Sequence, residues 1–375
     1  MTADDHKDLH SEAGSLRGEH PGRAKNPVIK VDGLAWIDYA KPDLAVAQRF
    51  GSDFGFTTSY VDRDWLHLRG SRAQDTPAVI VRRGPAAFVG LAFRAHDHAD
   101  LQRLARATGR EVTPLPESLG GHCVDLVDPS GHAVRVVAGT HPLEALPEPR
   151  PLPLNYNAAA IRVNSTQRPP REPARVLRPG HVALQSTKYV ETLDWYLEHL
   201  GLIVSDFLYH QTQRERGPVM SFIRCDRGDT PADHHTLALA LGPANRHLHS
   251  AYEVTDLDTL AAGGEYLREQ GYQRSWGIGR HVQGSQIFDY WRDPQGFMVE
   301  HYTDGDVFDC TLEPGWAPMT SSGLAQWGPP PTRDFLGFGS GRDALAEAAT
   351  LAKALRADNE FDLDRLRGLM EVARS

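Results

Sequence analysis

One local pattern recurs four times along this chain. Each copy opens on a short apolar strand, runs into an amphipathic helix that stops at a glycine, and continues into extended segments. The strands open at GLAWID (33–38), VGLAFRA (89–95), GHVALQS (180–186) and HSAYEVT (249–255). The helices close at Gly55, Gly109, Gly201 and Gly271, which lie 21, 19, 20 and 22 residues beyond Leu34, Gly90, His181 and His249. Glycine suits the left-handed residue that ends a helix. The second and fourth copies also finish alike. LVDPSGHAVRVVAG (126–139) parallels WRDPQGFMVEHYTDG (291–305), each an Asp-Pro-x-Gly turn followed by an alternating strand. A repeated supersecondary unit buries its apolar face against its neighbours. The expectation is an α+β fold: four βαβββ units paired into two halves, about 30–140 and 178–306, each half a curved mixed sheet.

The segments between the repeats complete the division. Residues 1–27 are polar, with mixed charge, and read as a disordered N-terminus. Residues 28–141 form a first, non-catalytic domain. Residues 142–177, with PLEALPEPRPLPL and QRPPREP, form a proline-rich connector. Residues 178–310 form the catalytic domain. Residues 311–375 hold a proline-rich segment, WGPPPTRDF, and amphipathic helices.

Charge and composition exclude several roles. A net charge of −9 leaves no basic surplus to neutralise phosphates, so no nucleic-acid partner is expected. No apolar run approaches the ~18 residues of a membrane span, and MTADDHKDLHSEAG lacks the apolar core of a signal peptide. Cys123, Cys225 and Cys310 are far apart and odd in number, which reads as reduced thiols in a cytoplasmic protein.

The chemistry concentrates in the second half. His181, His249 and Glu300 fall at strand positions of units three and four. Two neutral imidazoles and one carboxylate hold a redox-active ferrous iron while leaving coordination positions open. The repeats supply a control. Aligned on their strands, the first half carries Leu34, Gly90 and Arg135 at these places, none of which binds a cation. The scaffold therefore does not require His, His and Glu there. Burying them unpaired would cost several kcal/mol, a cost that a metal removes.

This arrangement resembles the vicinal oxygen chelate superfamily, and within it the type I extradiol ring-cleaving dioxygenases, the family of catechol 2,3-dioxygenase and dihydroxybiphenyl dioxygenase. The resemblance covers about residues 30–306 and is most specific from 180 to 306. It implies Fe(II), with Mn(II) acceptable to the same ligands, a catechol-type substrate and O₂ as partners, and a homo-oligomer. Three more residues carry it. His235, in HHTLALALG, matches the histidine that lines the O₂ pocket and acts as acid–base catalyst. Its neighbour His234 would point to the other face of a strand. His281 and Tyr290, in GRHVQGSQIFDYWRDPQGFMVEHYTDGD, follow the family pattern G-x-H-x(7)-[LIVMF]-Y-x(2)-[DENTA]-P-x-G-x(2)-[LIVMF]-E with one extra residue between His and Tyr. The resemblance gives them hydrogen bonds to the substrate oxygens and a share in taking a hydroxyl proton. His301 follows Glu300 directly and should face away. His247 shares the inner face by spacing, but the resemblance selects His249. The resemblance also implies that residues 311–375 include a lid, WGPPPTRDF, over the site, with Trp327 a candidate wall. Other readings are a metalloenzyme of the same superfamily, such as a 4-hydroxyphenylpyruvate-type dioxygenase or a lyase, and a metal-free binding protein.

Overall fold

A computed structural model describes residues 13–157, 159–337 and 342–372. Its two large sheets repeat one topology. The first contains β1 (Val31–Lys41), β2 (Thr57–Val61), β3 (Trp65–Arg69), β4 (Val79–Arg83), β5 (Ala87–Ala95), β6 (Val112–Pro114), β7 (His122–Val127) and β8 (Ala133–Ala138). Their order is β2-β3-β4-β1-β5-β8-β7-β6. The second contains β9 (Arg178–Ser186), β10 (Leu202–His210), β11 (Met220–Cys225), β12 (Leu237–Leu241), β13 (Arg246–Glu253), β14 (Gln273–His281), β15 (Ile287–Arg292) and β16 (Met298–Thr303). Their order is β10-β11-β12-β9-β13-β16-β15-β14, the same permutation, extended by the short strands Ala13–Gly14, Gly315–Met319 and Ala325–Trp327. This is an α+β vicinal oxygen chelate fold, with a helical tail.

The four repeat helices are α1 (Leu44–Phe54), α2 (His98–Thr108), α3 (Tyr189–Leu200) and α4 (Leu257–Glu269). Asp43, Asp97 and Asp256 cap three of them by accepting from free amides of the first turn. Helix α3 has no cap of its own. Glu360, from the tail, accepts from the amides of Val190 and Glu191 instead. At their far ends Gly55, Gly109, Gly201 and Gly271 all take positive φ, as the repeat pattern anticipates.

The halves share one apolar core, which includes Phe54 and Phe93 from the first and Tyr196 and Trp291 from the second. The matching Asp-Pro-x-Gly turns cross-link them reciprocally. Asp128 of the first turn accepts from the Tyr196 hydroxyl at 3.0 Å, and Asp293 of the second pairs with the Lys41 ammonium. The Lys41 and Asp293 side chains are 7% and 1% exposed, so neither has water to fall back on. Breaking such a buried pair on one side costs ~3–5 kcal/mol, because the remaining charge is left uncompensated. Lys41→Met is therefore expected to lower stability by about that amount in chemical denaturation. A loss below ~1 kcal/mol would show that Asp293 finds another partner.

One segment differs from the sequence reading. Disorder was expected over residues 1–27. Residues 1–12 lie outside the described residues, but 13–27 pack on the second half. Arg214 grips Glu19, His20 Nε2 meets Asp194 at 2.8 Å, and the Arg23 guanidinium donates to the Cys310 carbonyl at 3.0 Å. A polar composition hides such contacts, because the partners are distant carboxylates and carbonyls. The end of the connector is also structured: Ala174, Val176 and Leu177 are buried, and the Leu177 amide donates to Glu253. Helices α5 (Arg342–Ala354) and α6 (Leu363–Val372) close the tail. All three cysteines are free thiols.

Candidate metal centre

Sheet register builds the centre. His181 on β9 pairs with Ala251 on β13, Ala251 with Glu300 on β16, and Glu300 with Tyr290 on β15. Tyr290 in turn pairs with Trp276 on β14. Directly opposed residues share a face, so His181, Glu300, Tyr290 and Trp276 form one row on one face of the sheet. His249 lies two residues before Ala251 and therefore joins the same face. One glycine is needed here: a Cβ at Gly180 would stand 2.3 Å from the Tyr302 hydroxyl, whose ring packs beside His181.

The three ligand candidates converge, with one donor atom from each within 4.8 Å of the others. His181 Nε2 is 3.2 Å from Glu300 Oε2 and 3.3 Å from His249 Nε2, and His249 Nε2 is 3.5 Å from the same Oε2. Ligand bonds of ~2.0–2.2 Å meeting near right angles would separate donors by ~3.0 Å, close to these spacings. Glu300 is fully buried, and neither carboxylate oxygen accepts a protein hydrogen bond. Burial holds His249 well below the usual imidazole range, so it is neutral and offers a lone pair. A buried carboxylate that accepts no hydrogen bond, beside two converging imidazoles, is a donor set that suits a divalent cation, and the residues fit one.

The first half shows the same cup without ligands. Gly90 and Arg135 stand at the places of His249 and Glu300. The pairing of Ala92 with Arg135 repeats that of Ala251 with Glu300. The counterpart of His181, however, is Trp36 and not Leu34. Trp36 pairs with Ala92 after a bulge, as His181 pairs with Ala251 after a bulge. Aligning strand openings missed the bulge. Leu34 pairs with Phe93 and so faces the helix-side core, whereas Trp36 shares the face of Ala92 and Arg135; Trp36 also binds no cation, so the contrast between the halves survives. Arg135 is held by Asp125 at 2.7 Å beside a cavity of about 350 Å³ that Asp38 and His67 also line.

Around the ligands the structure places the other candidates as follows. His281 ends β14. Its Nδ1–H donates to the Leu324 carbonyl at 2.8 Å, which leaves Nε2 bare to accept the Tyr290 O–H at 2.9 Å. Burial lowers the His281 pKa and, with the Glu300 carboxylate beside it, raises the Tyr290 phenol well above its usual value. The ring of His235 lies 4.0 Å from that of His181. Burial, aided by the His181 and His234 imidazoles, depresses it well below the usual range. Both His234 and His235 lie in the turn between the two-residue strand Ala232–Asp233 and β12. Strand alternation therefore does not apply, and His234 turns toward His235 rather than away: their Nδ1 atoms are 3.0 Å apart.

Two histidines set aside in the sequence face the first half. His301 Nε2 donates to the Phe54 carbonyl at 2.7 Å, and its ring stacks on Phe54. His247 stacks on Phe88. The tail reaches the site through other residues than Trp327. That side chain is 46% exposed at the sheet edge, over Arg280. Leu324 supplies the carbonyl for His281, and Phe335 lies 4.9 Å from the Tyr290 ring and 4.4 Å from Trp276.

Comparison with known proteins places the chain among relatives of one fold. Residues 178–301 match the family model of the Glyoxalase/Bleomycin resistance protein/Dioxygenase superfamily. A curated relative, metapyrocatechase 2 of Cupriavidus necator, is 28% identical over 327 residues, 86% of this chain and 96% of its own. Among solved structures, the Mn(II)-bound glyoxalase from Novosphingobium aromaticivorans aligns with a TM-score of 0.67 at 22% identity, covering 81% of this chain and 94% of that one. Homoprotocatechuate 2,3-dioxygenase from Brevibacterium fuscum, in an anaerobic complex with 3,4-dihydroxyphenylacetate, aligns with a TM-score of 0.67 at 19% identity, covering 84% and 95%. At these identities the two structures establish the fold.

Proposed function

We infer that this chain, a type I extradiol dioxygenase of the glyoxalase/bleomycin resistance protein/dioxygenase superfamily, opens a catechol ring beside its two hydroxyls, with Fe(II) and O₂. The observation that carries the reading is the convergence of His181, His249 and Glu300 in one cup, where the duplicated cup of the first half holds Trp36, Gly90 and Arg135. When bound there, the metal would bring catechol and O₂ together and pass electrons from one to the other, using positions the three protein ligands leave open.

The remaining work falls to side chains. His281 Nε2 accepts a proton from one catechol hydroxyl while its Nδ1–H stays on the Leu324 carbonyl, which prevents the ring from rotating away. Tyr290, freed from His281 by that exchange, donates its O–H to the substrate oxygen and so stabilises the anion formed there. Trp276, Phe335 and the Tyr290 ring wall off this side and exclude water. His235, neutral and buried, holds and returns a proton on the oxygen side of the reaction. A hydrogen bond to a charged group contributes ~1.5–3 kcal/mol. Tyr290→Phe should therefore lower kcat by about 10- to 100-fold with metal content unchanged. An unchanged kcat would remove Tyr290 from the mechanism.

The reading is tested by loading the protein anaerobically with Fe(II) or, separately, Mn(II), and adding a panel of monocyclic and bicyclic catechols in air. The expected result is a yellow ring-opened product formed with O₂ uptake, and the more active arm identifies the working metal. Absence of product and of O₂ uptake across the panel in both arms would sink the reading.

A further inference from the structure

We propose that Asp206 and His234 are a positioning pair that fixes His235 as the tautomer with its proton on Nδ1 and its lone pair on Nε2. Three buried groups lie in line. His234 Nε2 is 2.7 Å from Asp206 Oδ2, and His234 Nδ1 is 3.0 Å from His235 Nδ1. An ionised carboxylate only accepts, so the proton on His234 must sit on Nε2. Taken as neutral, His234 then has only a lone pair at Nδ1. Two nitrogens 3.0 Å apart need one proton between them, and only His235 can supply it. The second nitrogen of His235 is left bare. The tautomer of a histidine is set by the bond its other nitrogen makes, and here the setting is inherited through two residues from a carboxylate.

The surroundings leave few alternatives. His234 is 1% exposed, His235 3% and Asp206 8%, so bulk water does not compete for these atoms. His234 is fixed at both ends of its backbone: its amide donates to the Asp306 carbonyl at 2.9 Å, and its carbonyl accepts from the Ser205 hydroxyl at 2.6 Å. Its ring is edged by Phe222 and Phe308. It also packs against the backbone at Gly284, where a Cβ would come 2.8 Å from Nδ1. The ring cannot swing to another partner without moving one of these. Asp206 lies on β10, away from the row that carries the metal ligands, so the pair acts on the reaction only through His235.

The consequence for turnover rests on the extradiol reading, but the tautomer does not. The test is long-range ¹H–¹⁵N correlation on ¹⁵N-histidine-labelled protein, metal-free and zinc-loaded, with the His235 signals identified by their loss in His235→Phe. The expected spectrum has a protonated Nδ1 and a bare Nε2 on His235. In His234→Leu the His235 tautomer should shift toward Nε2–H, and kcat should fall about 10- to 100-fold, the usual effect of losing such an orienting partner. KM and iron content should not change. His234→Gln, whose amide oxygen can accept the Nδ1 proton, should restore both tautomer and kcat, and Asp206→Asn should give a mixture of tautomers. An Nε2–H tautomer in the unaltered protein would overturn the proposal, as would an unchanged tautomer in both His234→Leu and Asp206→Asn. If the spectra follow expectation while no catechol is turned over, the positioning pair stands and the extradiol reading falls.

Discussion

Glu300→Leu should abolish metal retention and, in the same protein, raise the stability of the metal-free fold. The two effects share one cause. Glu300 is fully buried and neither oxygen accepts a hydrogen bond, so in the absence of a cation its imidazole neighbours leave much of its desolvation cost uncompensated. Leucine fills a similar volume without that cost. Replacing buried charge by well-packed apolar groups has gained ~1–4 kcal/mol elsewhere, and ~1–3 kcal/mol is the expected rise here for chelator-treated protein. Metal added to the unaltered protein should reverse the ranking, because a ligand that binds only the folded state stabilises it by mass action. Calorimetric melting of both proteins, with and without metal, reads all four states. A metal-free Glu300→Leu protein that melts below the unaltered one would mean that protein groups already satisfy the carboxylate.

His235→Phe should leave the metal centre loaded and stop turnover. The side chain is not among the three converging ligands, and phenylalanine can occupy its place beside Phe222, whose ring lies 5.1 Å away. What is lost is a neutral imidazole able to take and return a proton. Such groups contribute about 10²–10⁴-fold. A drop of that size in kcat is expected at unchanged iron content. Retention of more than about a tenth of the activity would assign the proton to another group, and His281 would be the one to examine.

Much of this architecture was legible in the sequence because the chain carries its own comparison. Four helices ending at Gly55, Gly109, Gly201 and Gly271, and two Asp-Pro-x-Gly turns, delimit the units without reference to any structure. The contrast between Glu300 and Arg135 at matched positions marks which half offers ligands for a cation. What escaped has physical reasons. Register across a bulge is set by backbone hydrogen bonds, so Trp36 could not be told from Leu34 as the counterpart of His181. The orientation of His234 depends on a turn, and a period-2 pattern carries no information there. Asp206 becomes informative only once β10 lies beside that turn, 28 residues away in sequence. Residues 13–27 read as disordered because their anchors, Asp194, Arg214 and the carbonyl of Cys310, are far along the chain. The tail was expected over the site, but the residues that arrive, Leu324 and Phe335, differ from Trp327 because Ala325–Trp327 is taken up as an edge strand on β14.

The central claim is that one divalent cation is held by these three side chains and by no part of the first half. Crystals grown with Mn(II) and measured at its absorption edge test it most directly. The account predicts a single strong anomalous peak per chain at ~2.0–2.3 Å from His181 Nε2, His249 Nε2 and a Glu300 oxygen. A peak in the first cup, beside Asp38 and Arg135, or the absence of any peak between the three residues, would contradict it.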